Sequence, residues 1–572
     1  MIPLASFKLN PRDHQRRFEA IDSQINSLKV SLHALSQRRN ELAPISFLPT
    51  EIIADIFLLA SAKRDDLGLA WLNVAHVCRQ WSEIALNQRL FWSYINFSNL
   101  TLTGTAEMLA RAKGAPLHLE ARVTDSNWSH DRYRALDQEL QAHVSHIRHL
   151  DIIVESLRPC LHLGAILHHT LYESPAPILE YLSLSNEAPG GIVSIPNNAF
   201  KGITPRLFSL ELRQAAISLK SPLLRGLRYL KIYELNDVNR LSVTDWLDAL
   251  DEMPRLKELV LHAASPLTDD FTFPSDVNRR TATLPVLTHL DLSSPAAACA
   301  LALAHLVLPA LTSLIVEARS FDRRGSDALI LIQYLARHAH GPQDLKPLKS
   351  VLFHNYMTYT RIVAWPTVIP DIHGVAHRRQ TERTARVVLS ISRKMPWYTS
   401  INVRVLDAVI EALPLDGLVA LAAEYQARLY EQVWLHHAPR WPLLEHVQLA
   451  SLAARGLREM LLLEGNGGHE GPLLPSLRQL DLLDTSLTKR RTLRLCDAFK
   501  KRVQQGVPLK VLSWSTNKWT IGAVWLLRRF VDDVRVPKGD TSWQRGEAPA
   551  WDPETDHFVD SDDDSDEEVE NV

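Results

Sequence analysis

Between Phe18 and Leu42 apolar side chains recur at alternating steps of three and four residues: Phe18, Ile21, Ile25, Leu28, Leu32, Leu35 and Leu42, with Arg39 in the remaining seam position. This heptad spacing predicts a helix over residues 1–43 with one narrow apolar stripe. Asp22, Gln24, Lys29, Gln37 and Arg38 supply its polar face, and Pro44 stops it. Two arrangements satisfy such a stripe: a short coiled coil that pairs two copies into a homodimer, or an amphipathic helix folded back on its own chain.

Residues 44–98 follow with a different rhythm, three helical stretches unusually rich in large apolar side chains. Pro49, Thr50 and Glu51 make a helix start. Ile52, Ile53, Ile56 and Phe57 line the first helix; Val74, Val77, Cys78 and Trp81 line the second; Leu90 and Trp92 close the unit. A module of roughly fifty residues cannot hide that much apolar surface internally, so a partner is expected to cover the remainder.

After a connecting segment or cap at residues 99–145, the period shortens to that of strands. The segment L-x-x-L-x-L recurs, often preceded by proline, as IRHLDI, LEYLSL, LFSLEL, LRYLKI, LKELVL, LTHLDL, LTSLIV, LKSVLF, LEHVQL, LRQLDL and LKVLSW. The starts lie 20–37 residues apart except for one gap of 96 residues after Leu348. In each copy the last two apolar residues point inward and the residues between and after them face solvent. Helical stretches such as VTDWLDALDEM separate the copies, so residues 146–537 resemble an irregular leucine-rich-repeat solenoid, a horseshoe lined by a parallel sheet. Within the long gap a degenerate copy, RVVLSISRK, and an inserted helical pair are expected.

Composition changes the picture mainly at the C-terminus. Net charge is −2, but residues 551–572 hold eleven acidic and no basic side chains, which leaves about +9 on residues 1–550. Residues 538–572 are therefore read as a disordered acidic tail, with Ser561 and Ser565 before acidic runs as phosphorylation sites for acidophilic kinases. The near-neutral balance offers no footprint for nucleic acid or an anionic membrane. Four scattered cysteines and a longest apolar run of thirteen residues, Ala296–Leu308, fit a reducing compartment and no membrane span. A cytoplasmic or nuclear protein is expected.

The sequence carries no catalytic constellation that its repeat pattern does not explain. His149-Leu150-Asp151 and His289-Leu290-Asp291 have the H-x-D spacing of iron ligands, but both fall in the same phase of the repeated strand, which accounts for them without metal. The glycines of GNGGHEGP lack the Lys and Ser or Thr of a phosphate loop. The basic groups around Lys489–Arg491 and Lys500–Arg502 are read as the wet face of a helix whose dry face holds Leu493, Leu495, Phe499 and Val503. No nucleophile, cofactor or metal is expected, and the chain is read as not an enzyme.

The blocks LPTEIIADIF, VCRQWSEIA and LFW resemble, in order and spacing, the F-box-like family as it occurs in basidiomycete fungi, through Leu48, Pro49, Glu51, Ile52, Ile56, Phe57, Val77, Cys78, Trp81 and Trp92. The resemblance covers about a tenth of the chain, and the connection Ala60–Asn73 is longer than in the shortest members. It implies an α/β architecture of helical segment, three-helix F-box, repeat domain and tail. It further implies a substrate receptor of a Skp/cullin/F-box ubiquitin ligase. Those ten residues would meet the Skp-family adaptor and, through it, cullin. A protein target would lie on the concave sheet, at Glu211, Arg213, Tyr229, Tyr233, His262, His289, Asp291, Gln448 and Asp481. The alternatives are a scaffold that binds the Skp-family protein without cullin, and an H-x-D iron oxygenase.

Overall fold

The computed structural model describes residues 11–61, 70–125, 130–155, 174–187, 192–234, 243–263, 280–320, 322–340, 346–356, 358–372, 384–393, 399–425, 436–451, 472–483, 489–514 and 521–536, with positions 164, 433, 551–552 and 557–558. GNGGHEGP, apart from its last residue, and both Ser561 and Ser565 lie outside the described residues. So do most of residues 538–572, whose described part is an antiparallel pairing of Trp551–Asp552 with His557–Phe558. The chain divides into two compact units, Met1–Leu223 and Leu224–Val572.

The first unit begins with helices. A single helix, α1 (Pro11–Glu41), matches the heptad stripe in length, and Pro44 opens a separate 3-10 turn, Pro44–Phe47. Then come α2 (Thr50–Ser61), a 3-10 turn at Ala70–His76, α3 (Arg79–Asn87) and a last turn at Arg89–Trp92. A parallel ladder follows: β1 (Tyr94–Asn96), β2 (Leu117–Val123), β3 (Ile147–Val154), β4 (Tyr181–Asn186) and β5 (Ser209–Arg213). Helices α4 (Leu102–Ala112) and α5 (His130–His143) make the first two crossovers. The ladder thus starts ahead of Ile147, where the leucine repeat first announces it.

The second unit holds more strands, again mostly parallel. Its strands are β6 (Tyr229–Tyr233), β7 (Glu258–His262), β8 (His289–Pro295), β9 (Ser313–Ser320), β10 (Ser350–Asn355), β11 (Tyr359–Trp365), β12 (Val387–Arg393), β13 (Ala420–Tyr425), β14 (His446–Ser451), β15 (Gln479–Leu483), β16 (Leu509–Trp514) and β17 (Val531–Arg535). Helices α6 (Val243–Asp251), α7 (Ala296–His305), α8 (Ser326–Ala339), α9 (Thr399–Ala412), α10 (Lys489–Gln504) and α11 (Ile521–Leu527) lie between strands, α7 packing on α8 and α8 on α9. The apolar run that begins at Ala296 forms α7, every residue of which is buried. Among the described residues no helix is long and apolar enough to cross a membrane.

One turn explains the proline before many strands. In Ala176-Pro177-Ile178-Leu179, Thr204-Pro205-Arg206-Leu207, Met253-Pro254-Arg255-Leu256, Leu284-Pro285-Val286-Leu287, Leu308-Pro309-Ala310-Leu311, Trp441-Pro442-Leu443-Leu444 and Leu474-Pro475-Ser476-Leu477, the fourth N–H donates to the first carbonyl. Proline presets φ for the second position of such a β-turn, where its missing N–H costs nothing. The leucine that closes the turn is buried, as are the next two repeat positions, for example Leu179, Leu182 and Leu184, or Leu287, Leu290 and Leu292.

The solenoid expectation is corrected. After β9 the chain does not add the next strand alongside it: β12 pairs with β9, β11 runs antiparallel between β12 and β10, and β10 then pairs with β13. Turn-by-turn winding is broken there, and no solenoid is found among the described residues; the architecture is a helical N-terminal region followed by a large, mostly parallel sheet with helices. Among the described residues of the long gap after Leu348, RVVLSISRK forms β12 as a strand, and β11, α9 and β13 accompany it; the second half of the expected helical pair lies largely outside the described residues. A second correction concerns α10. Arg502 is buried, donating to the carbonyls of Leu473 and Leu474 at 2.9 and 3.0 Å, while Val503 is exposed.

Candidate functional site

Helix α2 has two apolar stripes one residue apart. Ile53 and Phe57, spaced i and i+4, are fully buried. Phe57 sits 5.1 Å from the Trp81 ring and 6.2 Å from Phe91, Phe91 meets Trp92 edge-on at 5.3 Å, and Trp92 Nε1 donates to the Ala85 carbonyl at 2.7 Å. These side chains close the module's own core. Ile52, Ile56 and Leu59 form the other stripe and face solvent, joined by Leu48, Phe47 and Val77 among exposed large apolar groups.

The ten residues expected at the adaptor therefore divide. Leu48, Pro49, Glu51, Ile52, Ile56 and Val77 are exposed, and Cys78 and Trp81 are half-buried. Phe57 and Trp92 are corrected to core positions, since rings 0% and 4% exposed offer almost no surface to a partner. The exposed Phe47, Leu59 and Leu90 were missed. For Leu59 the signal was present, because it continues the Ile52–Ile56 stripe at i+3.

On the sheet of the first unit, register places polar side chains in rows across strands. One row reads Tyr94, His118, His149, Tyr181; the next reads Asn96, Glu120, Asp151, Ser183, Glu211. Three rings of the first row stack, His118 on His149 at 3.7 Å and His149 on Tyr181 at 4.0 Å with planes 5° apart, while Tyr94 sits tilted against His118 at 4.7 Å. In the second row Tyr94 Oη donates to Glu120 at 2.6 Å, Asn96 Nδ2 donates to it at 3.2 Å, and His118 Nε2 lies 2.9 Å from it. Tyr181 Oη donates to Glu211 at 3.4 Å.

The electrostatics follow from this crowding. Burial, aided by the neighbouring His118, lowers the His149 imidazole to about 3, so it is neutral at pH 7. Burial alone would raise Glu120, but hydrogen bonds from His118 and Tyr94 outweigh it and hold the carboxyl below its ordinary value. Burial, then the nearby Glu120 and Glu211 charges, raise Asp151. Burial and Glu211 push the Tyr181 phenol up to about 12.

His118, Glu120 and His149 bring three metal-type donor atoms within 4.8 Å, as do Asp407, His436 and His437. In the first group the imidazoles lie face to face with planes 11° apart, so their in-plane lone pairs do not converge on one ion. In the second, His437 is fully buried, its Nε2 is 2.6 Å from Asp407, and burial lowers its pKa despite that carboxylate. Nε2 is thus already engaged by the half-exposed Asp407, and Nδ1 is buried without a hydrogen-bond partner among the described residues. The two H-x-D copies fall in different compact units; Asp291 Oδ1 meets His262 Nε2 at 3.0 Å, and His262 packs edge-on against Tyr233 at 5.1 Å.

In the second unit the corresponding row changes character along the sheet. It runs Asp291, Ile315, Val388, Val363, Leu352, Ala422, Gln448, Asp481, Ser513. Its middle is apolar and belongs to a cluster with Trp365, Ile372, Ala385 and Ala420, against which Ile369 also packs. The Ile372 N–H donates to Gln448 Oε1 at 2.9 Å, so the segment after β11 lies on this face. Gln448 and Asp481, expected to be open to a target, are 4% and 7% exposed and bond to each other at 3.0 Å. They are corrected to a structural network with His446, Gln479 and Ser513. Glu211, Arg213, Tyr229, Tyr233, His262, His289 and Asp291 are partly exposed.

Sequence reasoning missed Tyr94, His118, Glu120, His149 and Tyr181 as parts of one surface. A signal existed, since His118-Leu119-Glu120 has the phase of His149-Leu150-Asp151 and Tyr181-Leu182-Ser183. It lay outside the leucine pattern because β2 lacks the closing L-x-x. No curated protein matches the chain. The family comparison agrees with the geometry of α2, α3 and the turns around them: residues 45–98 are matched by the F-box-like family model, so this chain carries an F-box-like domain, a protein-interaction adaptor module.

Proposed function

We propose that the protein is the substrate-recognition subunit of a Skp/cullin/F-box ubiquitin ligase. The observation that carries this reading is the divided F-box-like domain, whose core is filled by Ile53, Phe57, Phe91 and Trp92 while Leu48, Pro49, Ile52, Ile56 and Val77 remain in solvent. F-box domains typically bind Skp-family adaptors, and an exposed aliphatic stripe on a packed helix is the kind of surface such an adaptor covers. The chain itself performs no chemistry in this reading and holds no cofactor. It acts in the cytoplasm or nucleus by holding a target near the conjugating machinery, which raises the effective concentration of the target's lysines.

The target is placed on the open polar sheet faces. In the first unit these carry the Tyr94, His118, His149 and Tyr181 rings beside Glu120, Asp151 and Glu211; in the second they carry Tyr229, Tyr233, His262, His289 and Asp291. The carboxylates on these faces suit arginine or lysine side chains, which pair with them. Co-purification tests the whole reading. Recovery of both a Skp-family adaptor and a cullin supports the receptor. The adaptor alone supports a cullin-free scaffold, and neither removes the proposal.

A further inference from the structure

We propose that α1 pairs with α1 of a second copy of this chain as a parallel, in-register, two-stranded coiled coil. The helix is 31 residues long, about 47 Å, and no described side chain covers its seam: Phe18, Ile21, Ile25, Leu28, Leu32 and Leu35 are each at least 41% exposed, as is Leu42 in the turn just past its end. The seam is narrow, at a strict alternation of three and four, whereas a helix that docks on a globular surface shows a broader apolar face. Opposite it lie mostly polar groups, Glu19, Ser23, Asn26, Ser27, His33, Gln37, Asn40 and Glu41, with Val30 as the one large apolar exception. The geometry asks for one more helix of the same kind.

Charge selects the occupant and its direction. With Phe18, Ile25, Leu32 and Arg39 at a and Ile21, Leu28, Leu35 and Leu42 at d, the flanking g and e positions are Arg17, Gln24, Ser31 and Arg38, and Asp22, Lys29 and Ser36. In a parallel dimer each g side chain meets the following e of the second copy. Arg17 then faces Asp22 twice by symmetry, Gln24 faces Lys29, and Ser31 faces Ser36, with no like charges opposed. An antiparallel pair aligned on the same layers would set Lys29 against Lys29 and leave Asp22 facing Ser36. Ile25 at a followed by Leu28 at d also favours two parallel strands. Arg39 opposes its own copy in the last layer but one, which weakens the pair. That position is close enough to the helix end for the guanidinium to reach water and the C-terminal dipole.

Pairing of this kind brings two F-box-like domains to the same end of the coil, and it stands whether or not the adaptor reading does. The test uses the full chain at micromolar concentration. Sedimentation should give a dimer, converted to monomer by Leu28→Asp with Leu35→Asp while the thermal melt of the remaining chain is retained. Leu28→Cys should give a disulfide-linked dimer on mild oxidation that the unsubstituted chain does not form. Arg17→Asp or Asp22→Arg alone should weaken the dimer about three- to tenfold, and the two together should restore it. A monomeric wild-type chain, a dimer indifferent to the seam aspartates, or a dimer in which Leu28→Cys does not cross-link would each overturn the proposal.

Discussion

Ile52 and Ile53 are neighbours of identical chemistry with opposite tasks, because a helix turns 100° per residue and only one of them reaches Phe57 and Trp81. The difference is measurable. Leu48→Ala with Pro49→Ala should weaken binding of a purified Skp-family adaptor at least ~10²-fold while leaving the circular-dichroism melt in place. Phe57→Ala should instead cost about 3–5 kcal/mol of stability, read as a lowered denaturation midpoint. Two titrating groups make further residue-scale predictions. His149 has a folded pKa of about 3, well below that of an unfolded histidine, so the unfolded chain takes the proton first and stability declines as pH falls from about 6.5 towards 3. His149→Phe should flatten the fall in Tm between pH 6.5 and 5. Asp481 behaves oppositely in origin. Burial would raise it, but hydrogen bonds from His446, Ser513, Gln448 and Gln479 hold it near 2. Its contribution, on the order of 2 kcal/mol, is complete above pH ~4 and shrinks as pH falls through 2, so Asp481→Asn should lower the unfolding free energy at pH 7 by a comparable amount in a urea titration.

At the scale of elements, the segment from Trp365 to Ile372 decides how much of the second unit's sheet is open. The strands below it carry Leu352, Val363, Val388 and Ala422 on the face that is polar elsewhere, and the segment covers them. Ile372 is fully buried in this cluster. Truncation to alanine should cost about 2–4 kcal/mol in a urea titration, and it should also speed amide exchange of Ile372, whose N–H bonds Gln448. The repeat pattern named the strands on either side with the correct inward leucines. It placed Gln448 and Asp481 in solvent because period-two alternation tells which face a residue takes and nothing about what lies across that face.

For the whole molecule, charge and connectivity are separate matters. A chain ending at residue 550 changes from −2 to about +9. It should be retained on a cation exchanger at pH 7 where the full chain passes through, with adaptor binding unaltered. The two compact units divide at Leu223 and Leu224, between the third and fourth copies of a leucine pattern that shows no interruption there. Local spacing carries no information about which strands share the denser web of contacts, since that depends on crossovers such as the return of β12 to β9.

Local physics alone was enough for the helix at the heptad stripe, its stop at Pro44, the X-Pro-x-Leu turns and the burial of the repeat leucines, because each depends on side chains within one or two turns of chain. The F-box resemblance was legible for the same reason, its three blocks being contiguous. Tertiary structure decided the rest: that Phe57 and Trp92 are core while Ile52 and Ile56 are surface, that Tyr94, His118, His149 and Tyr181 form one row across four strands, and that β11 runs antiparallel and breaks the winding. Each of these turns on residues from separate elements meeting in one arrangement. Alternation of apolar and polar side chains permits many such registers, and only packing selects one.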